Sequence, residues 1–307
     1  MPIVSAVGGL WADALDPIVK FQADQAFSRR ASLLSTLYNV QTSQRAYEDI
    51  SGFGAIGTDV WLDYENSKIV PEVDFDQMYK QRFIHKERVV DVSVERKTND
   101  DADFANLTML ASRIGDSAAQ FREIQAASIF NNATSTSAPY VGGDAVALAS
   151  NSHPLSPMKS GVQDNLYALS LTRDNLRTVR EAMMAFTDDN GNKQGVTPDM
   201  LLVPPALEDD AIEIVNSTLN PNNANNTVNP MAGRFQVMTW HYLTDSNRWF
   251  LIDSNLMRQS LMWFDRVPFS VYLREGDDRS VRAYWRSYMR FSFGFTDWKW
   301  VVMSEPS

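Results

Sequence analysis

Two stretches of alternating side chains set the strongest limit on what this chain can become. In "TDVWLDYE", Val60, Leu62 and Tyr64 alternate with Asp59, Trp61, Asp63 and Glu65, and from Glu72 to Lys80 the residues Val73, Phe75 and Tyr79 share one face. Asn66, Ser67 and Lys68 suit a turn between them, which makes the pair a long hairpin. Each of its faces is only half apolar. Two strands alone are marginal in water, so this ribbon needs a surface outside itself to stay ordered.

Just before it, "SGFGAIG" places Gly52, Gly54 and Gly57 in the G-x-G-x-x-G spacing of a dinucleotide-binding loop. That loop works only between a buried strand and a helix, whose N-terminus holds the phosphates. Upstream, "RAYEDIS" is interrupted by Arg45, Glu48 and Asp49; downstream the pattern is that of a strand. The acidic residue expected about 20 positions on is available as Asp74 or Asp76, a cheap match where 38 of 307 residues are acidic. A Walker loop fails because Thr58 stands at the lysine position. The glycines read as the hinge of the hairpin, and a nucleotide-binding enzyme is the rival reading.

A chain of 307 residues can bury about 75% of its extended surface, so neither disulfide nor metal is needed to hold a core. Cysteine is absent, which removes disulfides, thiolate nucleophiles and Cys-type zinc sites together. No run approaches ~18 apolar residues, and neither a membrane span nor a secretory leader is expected. Lys and Arg number 28 against 38 Asp and Glu, for a formal charge of −10. Such a surface repels a phosphate backbone as a whole and disfavours sequence-independent wrapping of nucleic acid.

Leu10 to Tyr38 mixes helical signals with polar runs and shows no long apolar face, as an arm would. A strand is expected at Val89 to Glu95. A helix follows over 103–130, with Asp100, Asp101 and Asp103 at its start and Phe104, Leu107, Ala111, Ile114, Ala118, Phe121 and Ile124 in one stripe. At roughly 40 Å it is long for a domain of this size. A second amphipathic helix is expected at Thr172 to Phe186. Then "GVTPDMLLVPPALEDDAIEIVNS" gives a buried strand Met200 to Val203, a double proline, and a helix with Glu208, Asp209 and Asp210 in its first turn. "NPNNANNTVNP", with Asn222, Asn223, Asn225 and Asn226, is a loop, and "RFQVMTW" and "WFLIDS" are strands. Val281 to Phe295 alternates strictly, setting Arg282, Tyr284, Arg286, Tyr288 and Arg290 on one face. A basic face of this kind fits nucleic acid, or a solvated or subunit-facing sheet surface, and the net negative charge favours the latter.

No catalytic constellation emerges. His85, His153 and His241 are scattered, Ser156 and Lys159 form an S-x-x-K spoiled by Pro157, and the calcium-like order of Asp188, Asn190, Asn192 and Asp199 has Lys193 where glycine must bend the loop. The chain reads as a non-enzyme without catalytic residues, cofactor or metal.

The order of these parts resembles a tailed-phage major capsid protein of the Hong-Kong-ninety-seven-type fold, nearest to the Mu-like major head subunits. The likeness is carried by "GFGAIG" with "WLDYE", by "ALASNSHPLSP", by "GVTPDMLLVPPALEDDAIEIVNS" and by "GRFQVMTWHYLTDSNRWFLID". It implies an α+β fold with an N-terminal arm over 1–51, an extended loop over 52–90, a peripheral domain over 91–189 with the spine helix 103–130, an axial domain over 190–262 and peripheral strands over 263–307. It also implies hexamers and pentamers of an icosahedral virion shell around double-stranded DNA, assembled in the host cytoplasm with a portal and a separate scaffold protein, without sequence-specific DNA binding or a membrane. Trp61, Tyr64, Lys68, Val73, Phe75 and Tyr79 become candidates for contacts between subunits, Lys68 also for crosslinking to an asparagine, and the asparagine loop a candidate for the capsomer axis. An encapsulin-type compartment with protein cargo shares the fold and is the nearer rival.

Overall fold

The computed structural model describes residues 9–56, 60–61, 70, 72, 76–101, 104–219, 228–274 and 282–306. In chain order its elements are α1 (Gly9–Arg29), α2 (Leu34–Leu37), β1 (Asn39–Thr42), β2 (Tyr47–Phe53), β3 (Gln77–Ile84), β4 (Lys86–Glu95), α3 (Arg96–Asp100) and α4 (Phe104–Asn131). Next come β5 (His153–Pro154), β6 (Val162–Gln163), β7 (Leu166–Tyr167), α5 (Arg173–Met183), β8 (Met200–Val203), α6 (Glu208–Asn216), β9 (Gln236–Thr239) and β10 (Trp249–Ile252). The chain closes with α7 (Ser254–Ser260), β11 (Leu261–Arg274), β12 (Arg282–Phe295) and β13 (Val301–Ser304). The fold is α+β.

One mixed sheet runs β1-β11-β12-β4 and a second runs β7-β13-β10-β8-β9. Every residue of β8 and β10 is buried, which is why they read as unbroken apolar runs. Leu176, Val179 and Met183 of α5 and Ala211, Ile214 and Val215 of α6 belong to the same core. Pro204 and Pro205 stop β8, and Glu208, Asp209 and Asp210 fill the first turn of α6, where acidic groups meet the positive end of the helix dipole.

α4 spans 28 residues. Leu107, Ala111, Ile114 and Ala118 lie buried in the expected stripe, but Ile124 leaves it at 42% exposed and Glu123 is buried instead. From Ala126 to Phe130 consecutive residues are buried, because this end of the helix enters the core and no longer has a single inner face. Glu123 accepts hydrogen bonds from the Ser32 hydroxyl, from Leu34 N at 3.4 Å and from Trp240 Nε1 at 3.3 Å. The start of the helix also differs from expectation. Asp100 closes α3, 3.5 Å from Arg96, and Asp103 lies outside the described residues.

The stretch read as an arm contains α1, 21 residues long, whose Ala12, Leu15, Val19 and Ala23 pack with Leu107, Ala111 and Ile114 of α4. A Cβ on Gly115 would stand 2.1 Å from the Ala23 carbonyl oxygen, so the two helices meet at backbone contact. A buried face that is half alanine gives little hydrophobic contrast, so the helical signals here read as mixed with polar runs. α1 and α4 cover the inner face of the first sheet, where Trp285 joins their cluster and Arg122 lies 5.2 Å over the Trp263 ring. The β2–β3 ribbon crosses the outer face, where Phe83 packs on Phe264 with ring centroids 5.2 Å apart.

Candidate assembly interface

The ribbon pairs β2 with β3, from Tyr47 opposite Ile84 to Phe53 opposite Gln77. In the described part, Gln77–Lys80 pairs with β2, the strand that contains Gly52, and not with the expected Thr58–Tyr64, most of which lies outside the described residues. Gly57, Tyr64, Lys68, Val73 and Phe75 lie outside the described residues. Charge near residue 49 argued against a buried parallel strand, and β2 is instead an antiparallel strand without a buried residue, whose outer face accommodates that charge. Asp49 accepts from Arg82 Nε at 2.7 Å and Nη2 at 2.8 Å, Lys80 Nζ is 2.7 Å away, and Arg82 lies 4.4 Å over the Tyr47 ring. The Arg82 bonds first, and the Lys80 bond second, hold the Asp49 carboxyl well below the usual carboxylate range.

The ribbon's inner side rests on its own chain. Gln81 Nε2 donates to Val141 O at 2.9 Å, and a Cβ on Gly143 would come within 3.1 Å of Tyr79 Cβ and the Lys80 backbone. Tyr79 therefore turns inward, with burial first and Asp144 second raising its phenol pKa. At the ribbon's end His85 is buried between Ser43 Oγ, 3.1 Å from Nε2, and Ser292 Oγ, 2.9 Å from Nδ1. Burial first, and then Arg290, lower the His85 pKa.

Gly52 and Gly54 do not adopt positive φ, so backbone conformation does not demand glycine at either position. Space does at Gly54, where a Cβ would lie 2.9 Å from Asp189 Oδ2 and 3.3 Å from Asp76 Cβ. The next residue is clamped from both sides. Ala55 N donates to Asp189 Oδ1 at 3.0 Å, and Asn190 Nδ2 donates to Ala55 O at 2.7 Å. The clamp belongs to the turn that resembled an incomplete calcium loop. Asp188 Oδ1 shapes it by accepting from Asn190 N at 2.9 Å and Asn192 N at 2.8 Å, while Lys159 reaches the Asn190 side chain. Sequence reasoning missed Asp189 as a functional residue, since its role depends on a contact 134 positions away.

A cleft of about 280 Å³ beneath the ribbon is lined by Gly52, Asp144, Asp188, Asp189 and Asp297 among others. Carboxylates facing the glycines would repel a pyrophosphate, and Gly52 lies within an antiparallel strand instead of after a buried parallel one, which removes the basis of the nucleotide reading. Beside the cleft His153 stacks on Trp298 at 4.2 Å, with Nδ1 2.9 Å from Asp144 Oδ2 and Nε2 3.2 Å from Asn165 Oδ1. Asn165 Nδ2 donates to Leu148 O at 2.8 Å and Val301 O at 3.1 Å, tying the long connection after α4 to the second sheet. This buried polar network was also missed, because no local pattern marks it.

The Arg/Tyr face of β12 lies outward, as alternation required. Arg282 meets Glu95 at 2.9 Å, Arg286 holds Asp91 through two bonds of 2.7 Å, and Arg274 joins Asp91 at 3.2 Å. Carboxylates of β4 thus neutralise much of the basic face. Asn222, Asn223, Asn225 and Asn226 lie outside the described residues. The stem of their loop is closed by a bridge between Leu219 and Val228, with Asn229 Nδ2 donating to Ile214 O at 2.7 Å and Ser217 O at 2.9 Å. Trp61 is 80% exposed, and Tyr47, Phe53 and Ile84 are exposed around the ribbon. Among the described residues no cluster of His, Asp and Glu could hold a metal ion, and no helix is long and apolar enough to cross a membrane.

The family model for phage capsid protein matches residues 79–304. Comparison with curated proteins gives no match. Among solved structures, the chain is similar to a capsid chain of bacteriophage JBD30, from a capsid decorated with minor capsid protein trimers, at TM-score 0.56 and 14% identity, covering 70% of this chain and 92% of that one. A chain of Microbacterium phage Oxtober96 aligns at TM-score 0.58 and 10% identity over 91% and 92% of the two chains. The virus-like particle from Pyrococcus furiosus aligns at 0.54 and 10% over 94% and 99%. At these identities the likeness is one of fold.

Proposed function

The chain belongs to the phage capsid protein family, and on that footing we propose how it works as a major capsid protein. It is a structural protein, and its copies associate into a capsid. In the scheme proposed here they form hexamers and pentamers that tile an icosahedral shell around double-stranded viral DNA, assembled in the host cytoplasm with a portal and a separate scaffold protein. The family match over residues 79–304 is the observation that carries this reading.

The ribbon supports it. Its inner side is occupied by its own chain, whereas the outer side leaves Tyr47 and Ile84 exposed, with Trp61 beyond. A neighbouring copy is the natural cover for such a face in a closed assembly, where each surface recurs on every subunit. Trp61, Tyr64, Lys68, Val73 and Phe75 are assigned to that contact, and Asn222, Asn223, Asn225 and Asn226 to the capsomer axis. Gly52, Gly54 and Gly57 let the ribbon change angle between inequivalent positions, and the Asp189 clamp sets one such angle.

Nuclease treatment of purified particles, followed by extraction, tests the contents. Protected double-stranded DNA is expected. The fold shared with the Pyrococcus furiosus virus-like particle keeps a second reading in view, a compartment for protein cargo. Particles filled with a copurifying protein and free of DNA would establish that reading in place of the first.

A further inference from the structure

The outer face of the first sheet carries more arginine than its own carboxylates cover. Arg274, Arg282 and Arg286 are met by Asp91 and Glu95. Among the described residues Arg266 and Arg290 meet no carboxylate, and the Nε of each is buried with no acceptor. A desolvated donor without an acceptor opposes folding, and like charges on adjacent strands add repulsion. Where β11 gains one residue between Asp265 and Val267, Arg266 and Val267 both stand opposite Arg290. Ser292, two residues along β12 from Arg290 and on the same face, lies 2.9 Å from His85 Nδ1, which sets the pair near the foot of the ribbon.

Carboxylates on the elements around this pair have partners or neighbours of their own. Asp265 accepts from Arg122 Nη2 and from Trp263 Nε1, both at 2.9 Å, on the inner face of the sheet. Glu48 accepts from Ser43 Oγ at 2.6 Å. Glu87, opposite Arg290 on β4, acts on the Tyr288 phenol, whose pKa burial first and Glu87 second raise.

We propose that Arg266 and Arg290 are a receptor for a carboxylate side chain carried by a second copy of this chain. The inference rests on the chain being a self-associating shell protein and adds the residues that receive the neighbour. Charge selects the occupant. A copy of formal charge −10 offers carboxylates in abundance, and an arginine fork binds a carboxylate through paired hydrogen bonds. Nucleic acid fits less well, because a polyanion laid along β12 would meet Glu87, Asp91 and Glu95 on the same face, whereas one carboxylate entering at Arg290 stands opposite Glu87 alone of these three.

The test compares the full-length chain with the double variant R266A/R290A and the charge-keeping R266K/R290K, by thermal unfolding of the unassembled subunit and by sedimentation of assembled particles. The alanine variant should unfold no lower than the unchanged chain, since a repulsive pair has been removed, and its concentration threshold for assembly should rise on the order of tenfold or more. The lysine variant should assemble with a smaller rise. An alanine variant that assembles at the unchanged threshold overturns the receptor, and one that unfolds much lower makes the pair structural and overturns it too. Shells that form normally but lose affinity for a short DNA duplex would assign the pair to phosphate instead. If the unchanged chain formed no particles at all, the shell reading itself would fall, a result distinct from each of these.

Discussion

Asp189 occupies the space that a side chain at Gly54 would need: its Oδ2 lies 2.9 Å from the position of a Cβ there, while its Oδ1 binds Ala55 N at 3.0 Å. One carboxylate thus fixes where the ribbon leaves the body of the subunit. Gly54→Val inserts methyl groups against Asp189 and Asp76, and overpacking of this sort costs roughly 1–3 kcal/mol. The subunit should still fold, with a lowered urea midpoint, but electron micrographs should show aberrant or open particles. Regular shells from this variant would mean that the ribbon's exit angle does not matter to assembly.

Asp189→Ala removes the acceptor for Ala55 N and leaves a partly buried amide unpaired, a loss of about 1–3 kcal/mol. Asp189→Asn keeps an oxygen for that bond and should lose less. Amide hydrogen exchange reads the difference directly. Protection at Ala55 should fall sharply in the alanine variant and only modestly in the asparagine variant, while equal protection in all three proteins would show that the clamp is not what orders the segment.

At Gly115 two effects of opposite sign compete. Alanine gains about 1 kcal/mol of helix propensity over glycine, but its methyl would stand 2.1 Å from the Ala23 carbonyl oxygen and 2.8 Å from Phe27 N, both backbone atoms. Backbone on the far side cannot swing away as a side chain can, so α1 must shift. Gly115→Ala should be destabilising by about 1–3 kcal/mol in urea unfolding, and a stabilised variant would contradict the observed helix contact.

His85 gives the subunit a pH dependence whose sign is fixed. Burial and Arg290 depress its pKa below 6.5, with Arg266 adding to that and Glu48 opposing it. The folded state therefore favours the neutral ring. The stability this contributes is full above pH 6.5 and is lost as pH falls through the lowered value. Asp49 adds no slope in that window, because its depressed carboxyl contributes above 3.8 and loses its effect only at lower pH. Urea midpoints should decline from pH 7 to pH 5 more steeply in the unchanged chain than in His85→Gln. Parallel slopes would assign the dependence to other groups.

What the sequence revealed depended on whether the signal was local. α4 was legible from its stripe as far as Ala118, but Ile124 lies exposed where the buried Glu123 takes its place, and past Ala126 the helix is buried all round. β8 and α6 were legible because Pro204 and Pro205 separate an apolar run from an acidic first turn. Helical signals were present in α1, but the alanines of its buried face concealed the packing surface. The ribbon's register was hidden because Asp49 finds Lys80 and Arg82 only across the strand pair. The alternation of β12 gave the Arg/Tyr face, but which arginines have partners depends on the register with β4 and on the extra residue in β11. Contacts far apart in sequence, such as Asp189 with Ala55, leave no periodic trace.

Electron cryomicroscopy of particles formed by the purified chain tests the central claim most directly, namely that the outer side of the ribbon is completed by a sister copy. The account predicts closed shells in which Tyr47, Ile84 and Trp61 of each subunit lie against its neighbour. Shells that leave these side chains bare, or a chain that remains a lone subunit at every concentration, would contradict it.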